Sequence, residues 1–366
     1  MITFQPDWTT RTDAALAWIR HSIGATGEQG SAHSYSLLRG WAAAYPETTG
    51  YLIPTLLHFA GLKADPSLRQ LAFSCARWLC QIQLPGGAWT GLTADYAQPS
   101  VFNTAQILFG LSKLDGENLA EDIVFQKTIR HSLETGARWL LDQLDTDAVW
   151  RQAAYVPGFV PSYYTRAVWA LLEAQKRLQW TDLEEKMQLA IHWYARRFQA
   201  NGAISDWGFR PGAAAFSHTI AYTLEGFLEV ALLLDEPTLL ARTAASADRL
   251  LDVRKQAGRT AGRYDIHWQG DYSFRCLSGN AQLSVLYYRL WQIFNVLEYR
   301  RASADFLSEI LEFQDFSKNK NRYGALPGSA PVWGPYLRFR YPNWGVKFLL
   351  DALANWAPEP LHSPGF

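Results

Sequence analysis

The sequence predicts an all-α protein, an (α/α)6 toroid in which six helical hairpins surround a central funnel and residues 1–366 form a single domain. Three observations favour this fold class. Apolar residues recur at three and four positions over many segments, and no segment shows sustained alternation. The gaps between these segments carry Gly, Pro and Trp. New helices open at a near-constant spacing along the chain.

Helical periodicity is clearest in segments that carry apolar residues along one face. In chain order these segments are ALAWIRHSI, LRQLAFSCARWLCQIQ, TGARWLLDQL, YTRAVWALLEAQKRLQW, LEEKMQLAIHWYARRF and LSVLYYRLWQIFNVLEY. An aromatic residue and a Gln near the helix end, then a turn and a Trp, recur at 76–89, 137–150 and 191–207, with a longer version at 311–333. These gaps predict the turns of repeated hairpins.

A helix opens after each such loop on a polar or small residue. Six starts are marked by Glu47, Asn103, Tyr164, His218, Asn280 and Asn343. The steps between them are 56, 61, 54, 62 and 63 residues. A period of this length accommodates two helices and two loops, which predicts six hairpins that close into a ring.

The first hairpin turn also carries a family resemblance. The stretch ARWLCQIQLPGGAW at 76–89 resembles the repeat of squalene-hopene and oxidosqualene cyclases, in which an aromatic residue and Leu precede Gln and then Gly-x-Trp. That repeat belongs to a superfamily of α/α toroids that includes protein prenyltransferases. The segments at 45–57, 99–111 and 327–353 are similar to segments of bacterial toroid proteins associated with polysaccharide gene clusters. These resemblances imply a toroid and a role in polysaccharide metabolism. By analogy with the cyclase repeat, we expect the loop tryptophans Trp89, Trp150, Trp207 and Trp333 to wedge the hairpins together.

Composition narrows the classes of partner. Lys+Arg 34 balances Asp+Glu 34 without a basic run, which argues against nucleic acid or an anionic membrane surface as the partner. Three cysteines without zinc-site spacing predict reduced thiols, no metal and no cofactor. The N-terminus lacks the features of a secretory signal, and no segment is apolar over the length of a membrane span. We expect a cytoplasmic protein with a saccharide substrate, and its oligomeric state stays open.

The ring would direct the N-termini of its inner helices to one mouth, where unpaired N–H groups create a modest positive potential. Aromatic residues make up 14% of the chain, which suits the wall of a deep ligand cavity. His218 and Tyr222 lie four residues apart on one helix face, and both can exchange protons. We therefore expect one of the six sectors to bring this pair to the funnel.

A uronate lyase or C5-epimerase needs groups that neutralise the sugar carboxylate and a base that takes the neighbouring proton. Candidates placed toward the mouth are Asn103, Tyr163, Tyr164, Arg166, His218 and Tyr222. In this hypothesis Asn103 and Arg166 hold the carboxylate, while His218 and Tyr222 exchange protons. Toroid-fold polysaccharide lyases carry similar constellations. Elimination or C5-epimerisation of an acidic saccharide is the predicted reaction.

Further substrate-binding candidates lie at other helix starts and in the C-terminal loop. They are Asn280, Gln282, Asn343, Trp268, Trp344, Trp333, Tyr336, Arg338 and Arg340. Trp268 and Trp344 could form a stacking platform, and alternating aromatics and arginines suit a groove for acidic sugars. The capping preference favours a structural role for each asparagine taken singly, while the glutamine could equally satisfy neighbouring backbone and the arginines could equally be solvated surface residues.

Three alternatives stay open. A glycoside hydrolase could use Glu47 as general acid with Asp206 or Asp265 as its partner. A terpenoid cyclase would need an Asp-x-Asp-Asp run, and the nearest segment, DTDA at 145–148, lacks the last acid. A toroid could also bind a saccharide without any chemistry.

Overall fold

The computed structural model describes residues 6–117, 122–181 and 183–358. Twelve α-helices form within these residues. In chain order they are α1 Trp8–Gly24, α2 Pro46–Leu62, α3 Pro66–Gln81, α4 Val101–Asp115, α5 Ile123–Asp142, α6 Thr165–Leu178, α7 Glu184–Ala195, α8 Ser217–Leu233, α9 Pro237–Ala257, α10 Leu277–Phe294, α11 Leu297–Leu311 and α12 Asn343–Ala354. A 3-10 turn, Ser162–Tyr164, precedes α6.

The even-numbered helices form the inner ring. Each packs against the next, and α12 returns to α2, so the ring closes. Most positions of α2, α4, α8, α10 and α12 are buried, as expected for helices enclosed on every side. Each outer helix packs on the inner helix that precedes it, except α1, which packs on α12. The predicted (α/α)6 toroid is confirmed, and its sixth hairpin joins the two ends of the described chain.

Glycines allow the inner helices to approach closely. A Cβ added to Gly50 of α2 would lie 2.5 Å from the Ile107 Cα atom of α4. A Cβ on Gly279 of α10 would overlap the backbone nitrogen of His218, at the start of α8. Gly226, deep in α8, packs in the same way on Thr165, the first residue of α6. Because α6 thus begins beside the middle of α8, the inner helices are staggered along the ring axis.

Short antiparallel strands lie in the connections. They are β1 Ser34–Ser36, β2 Gly40–Trp41, β3 Ala215–Phe216, β4 Arg263–Tyr264, β5 Arg275–Cys276, β6 Ser329–Ala330 and β7 Arg340–Pro342. The order in one sheet is β2-β1-β7, while β3 pairs with β4 and β5 pairs with β6. Tyr35 of β1 lies opposite Trp41 and Tyr341. Since β3, β5 and β7 lead directly into α8, α10 and α12, these strands hold three inner-helix starts in place.

Two loop tryptophans confirm the predicted hairpin wedge. Trp89 and Trp150 are fully buried, and their indole N–H groups donate to the carbonyl oxygens of Leu79 (2.7 Å) and Leu140 (2.8 Å). Trp333, in the longer version of the motif, is 60% exposed and departs from that pattern.

Among the described residues, no helix has the length and apolar character needed to cross a membrane.

Candidate functional site

A cavity of about 280 Å³ opens where the N-terminal ends of the inner helices converge. Aromatic side chains form most of its wall. The lining residues are Tyr45, Glu47, Phe102, Tyr155, Tyr163, Phe209, Phe216, His218, Tyr222, Pro335, Tyr336, Leu337 and Trp344. We call this space the mouth cavity. The predicted candidates Glu47, Tyr163, His218, Tyr222, Tyr336 and Trp344 therefore line one cavity.

Glu47, the second residue of α2, is the one carboxyl group among the described residues that line the mouth cavity. Burial raises the pKa of Glu47 to about 7, against the opposing effects of a Tyr45 hydrogen bond and the positive charge of Arg166. The Tyr45 hydroxyl donates to Glu47 Oε2 over 2.8 Å. A carboxyl group that is partly protonated near neutral pH can serve as an acid or a base.

A chain of polar groups continues from Glu47 along the wall. The Tyr45 and Tyr155 hydroxyl oxygens lie 3.4 Å apart, and the Tyr155 hydroxyl donates to Asn103 Oδ1. Asn103 Nδ2 in turn donates to the Thr90 carbonyl oxygen over 2.7 Å. Asn103 is fully buried and does not line the cavity, so its position supports the tyrosines. Sequence reasoning missed Tyr45, although it directly precedes the α2 start, and Tyr155, which lies in a loop without any recognisable pattern.

His218 presents a neutral imidazole to the mouth cavity. Burial lowers the pKa of His218 to about 3; the Gln282 hydrogen bond opposes this shift, and the nearby charge of Arg166 adds to it. The Nδ1 atom lies 2.5 Å from Gln282 Oε1 on α10. The His218 ring centroid is 4.4 Å from that of Tyr222 and 6.4 Å from that of Trp344, which is nearly parallel. A neutral imidazole can accept a proton from a bound molecule.

Tyr222 faces both the cavity and α2. Its hydroxyl donates to the Tyr51 hydroxyl oxygen over 3.3 Å. Burial is the main cause that raises the pKa of Tyr222 well above its ordinary value. The phenol therefore stays protonated at neutral pH, which suits hydrogen bonding better than the predicted role of a base.

Arg166 lies beneath the mouth cavity. Its Nη1 donates to Glu225 Oε2 (2.5 Å) and its Nε to Gln106 Oε1 (2.9 Å). The guanidinium carbon is 4.6 Å from the Tyr222 ring centroid. Arg166 lines a second cavity of about 170 Å³ near the other end of the inner helices. The sequence predicted Arg166 at the mouth, whereas the stagger of α6 places this residue deeper than Glu47 or His218, outside the lining of the mouth cavity.

The C-terminal loop covers one side of the mouth cavity. Tyr336 contributes to the wall, and its hydroxyl oxygen accepts a hydrogen bond from Trp344 Nε1 over 2.8 Å. Arg338 is exposed and donates to the Trp333 carbonyl oxygen over 3.1 Å. Arg340, in β7, donates to Ser34 Oγ over 3.3 Å. Neither arginine nor Trp333 lines the cavity. Of the alternating aromatic residues and arginines in this loop, Tyr336 lies in the cavity wall, while Trp333, Arg338 and Arg340 lie outside it.

The asparagines predicted at helix starts are not N-caps. Asn280 Oδ1 accepts from Ser217 Oγ over 3.4 Å, and Asn343 Nδ2 donates to Thr48 Oγ1 over 2.5 Å. Both contacts connect neighbouring inner-ring sectors. Each amide keeps one atom without a hydrogen-bond partner among the described residues. Neither asparagine lines the mouth cavity.

Tyr164, Trp268, Asp206 and Asp265 lie outside the mouth cavity. Tyr164 is almost fully buried, with its ring stacked on Phe102 at 6.0 Å. Trp268 packs edge-on against Trp207 at 5.3 Å and donates its indole N–H to a loop carbonyl, so it forms no platform with Trp344.

The two aspartates have structural contacts of their own. Asp206 lies 3.8 Å from Arg197, and Asp265 accepts from the backbone N–H groups of His267 and Gln269 over 2.8 Å each. The structure thus does not bring a predicted carboxylate partner to Glu47. Among the described residues, no cluster of three or more His, Cys, Asp or Glu has a geometry suited to a metal.

Several solved structures share this architecture. An unsaturated glucuronyl hydrolase specific for heparin is 15% identical, with a TM-score of 0.73 over 96% of this chain and 97% of its own. A cellobiose 2-epimerase from Bacillus thermoamylovorans is 10% identical, with a TM-score of 0.71 over 96% and 99%. A possible member of the GH105 family from Salmonella enterica is 13% identical, with a TM-score of 0.67 over 96% of both chains. At these identities the likeness establishes the α/α-toroid fold. No family model and no curated protein matches the chain.

Proposed function

We propose that this chain is a carbohydrate-active enzyme that uses Glu47 and His218 to transfer protons on an acidic saccharide, as a lyase or a C5-epimerase. One observation carries the proposal: a carboxyl group with a pKa of about 7 and a neutral buried imidazole line the same aromatic cavity. Paired groups whose environments shift their pKa values in opposite directions are typical of acid–base catalysis.

The cavity wall supports a saccharide as the ligand. Sugar rings present C–H faces that pack on aromatic rings, and Trp344 and Tyr163 supply such faces. At about 280 Å³ the space is at the small end for ligand sites, which suits the end of a chain. The similar structures include enzymes named for glucuronyl and cellobiose substrates.

The proposed steps follow from these two groups. His218 Nε2 takes the proton from C5 of a uronate, and the electron pair passes toward the carboxylate. In elimination the pair forms a C4=C5 double bond, the C4–O bond breaks and the leaving oxygen takes the proton of Glu47. In epimerisation Glu47 returns a proton to the opposite face of C5. Protonated tyrosines replace the predicted Arg166 as donors to the sugar carboxylate, since no Lys or Arg is among the described lining residues.

A second candidate is a hydrolase of unsaturated uronides. It is favoured by the single carboxyl group on the described cavity wall, because hydrolysis of an ordinary glycoside requires two. An unsaturated uronide is an enol ether, which one acid can protonate at C4 while water adds at C5. The structures named unsaturated glucuronyl hydrolases support this alternative. The hemiketal formed would open and release the attached sugar.

The deciding experiment incubates the protein with uronate polymers, unsaturated uronate oligosaccharides and neutral oligosaccharides in deuterated water. A rise in ultraviolet absorbance identifies a lyase, deuterium uptake at C5 an epimerase, and a fall in absorbance a hydrolase of unsaturated substrates. Glu47→Gln and His218→Ala should each abolish the signal, while Glu134→Gln on the outer surface should retain it. Saccharide binding without any of these signals would favour the non-catalytic alternative and overturn the proposal.

A further inference from the structure

Gln282 is an unusual residue for its position. It lies on the inner helix α10 and is fully buried. Its Oε1 contacts His218 Nδ1 at 2.5 Å, and its Nε2 has no hydrogen-bond partner among the described residues. Burying an amide with an unpaired N–H group costs stability, and an apolar side chain of similar size would avoid that cost. The contact with His218 is the hydrogen bond that offsets part of this cost.

The contact determines which imidazole nitrogen carries the proton. Gln282 Oε1 is a carbonyl oxygen and can only accept a hydrogen bond. His218 Nδ1 must therefore be the donor, and in the neutral ring Nε2 keeps its lone pair. Rotation about the imidazole axis is opposed by the close packing of Tyr222 and Tyr336, whose ring centroids lie 4.4 Å and 5.5 Å from that of His218.

The choice of an amide over a carboxylate has a separate consequence. A carboxylate at Nδ1 would also fix the tautomer, but it would stabilise the charged imidazolium. Titratable and charged groups near His218 include Tyr222 on its own helix, Tyr336 from the C-terminal loop and Arg166 from α6, and Glu47 lines the same cavity. Because Nδ1 contacts a neutral amide, the ring keeps its orientation while staying uncharged.

We infer that Gln282 is a positioning residue that holds His218 as the Nδ1–H tautomer and leaves Nε2 as the proton acceptor of the site. The tautomer itself does not depend on any reaction. Its catalytic consequence rests on the function proposed above, in which His218 acts as the base.

Nitrogen-15 NMR of histidine-labelled protein at neutral pH tests the tautomer directly. The His218 signals are assigned by their loss in His218→Ala, among the 8 histidines of the chain. We expect a protonated Nδ1 and an unprotonated Nε2 in the unmodified protein. Gln282→Leu should produce a mixture of tautomers, and Gln282→Glu should retain the tautomer but raise the pKa of His218. Gln175→Leu, at a buried glutamine on α6 outside the mouth cavity, is the matched control and should change neither property.

Kinetics form a separate arm. With a substrate from the panel above, Gln282→Leu should lower kcat about a hundredfold at similar KM, at the low end of what a positioned base contributes. Gln282→Glu should retain more activity and shift the pH profile upward. An Nε2–H tautomer in the unmodified protein, or Gln282→Leu spectra that match it, would refute the assignment. If Gln282→Leu does not fold, the pKa of His218 in Gln282→Glu tests the assignment instead. A raised pKa supports the contact, and an unchanged pKa refutes it. The absence of turnover with the expected tautomer would count against the proposed function alone.

Discussion

Replacing Glu47 by Gln should stabilise the protein at alkaline pH and leave it nearly unchanged in acid. The amide has the shape of the protonated carboxyl group and can still accept the Tyr45 hydrogen bond. Unlike the carboxyl group, it cannot ionise in its buried position. The stability difference between the two proteins therefore isolates the cost of burying the Glu47 charge.

The magnitude follows from the pKa of Glu47, which burial raises from 4.5 to about 7. Below the lower value the carboxyl group is protonated in both folded and unfolded chains. As the pH rises past it, the unfolded chain releases the proton and the folded chain keeps it, so the wild-type protein loses stability until the folded group also ionises. At about 1.4 kcal/mol per pH unit, the loss amounts to about 3 kcal/mol above neutral pH.

Equilibrium urea denaturation of both proteins between about pH 5 and about pH 8 measures this difference, since the remaining titrating groups are common to the two chains. Glu134→Gln, at a partly exposed surface carboxylate, should change stability by less than about 0.5 kcal/mol at every pH. A Glu47→Gln difference that stays constant across the series would refute the buried, proton-retaining carboxyl group on which the site depends.

Three further outcomes are expected. Turnover should fall as the pH rises above about 7, because the acid form of Glu47 disappears, and a pH–rate profile measures this. Tyr222→Phe should lower kcat while leaving a cooperative unfolding transition intact, whereas Tyr287→Phe, which removes a buried hydrogen bond far from the mouth, should affect denaturation and not turnover. Gly50→Ala should cost about 1–3 kcal/mol in urea unfolding by forcing α2 from α4. Gly61→Ala, with open space on the same helix, should be nearly neutral, and an equal loss at both positions would contradict the close-packing argument.

The chain's periodicity carried much of the fold prediction. A helix brings residues three and four positions apart onto one face, so the spacing of apolar residues in the sequence indicates it directly. The recurrence of six helix starts predicted the ring, and in the structure Glu47, His218 and Tyr222 line one cavity. The finer likeness to squalene cyclases stays a prediction. The pairing of α1 with α12 had no sequence signal, because it joins segments more than 300 residues apart.

Depth along the ring axis was the main property that the repeat could not supply. Equivalent positions in a repeat suggest equal positions along the ring axis, and this would place Arg166 at the mouth. In the structure the 3-10 turn at 162–164 precedes α6, and Gly226, the tenth residue of α8, packs beside Thr165. At about 1.5 Å of rise per residue, α6 begins about 13 Å below the start of α8. The guanidinium of Arg166 consequently donates to Glu225 and does not line the mouth cavity.

The amino-acid sequence by itself determined the helical class, the number of inner-helix starts and the residue types available at them, because these depend on local spacing and composition. The tertiary structure decided which of those side chains share a cavity, that burial raises the pKa of Glu47 to about 7, and that Gln282 contacts His218. Such properties depend on helix stagger, side-chain direction and exclusion of water. They arise only when distant parts of the chain pack together.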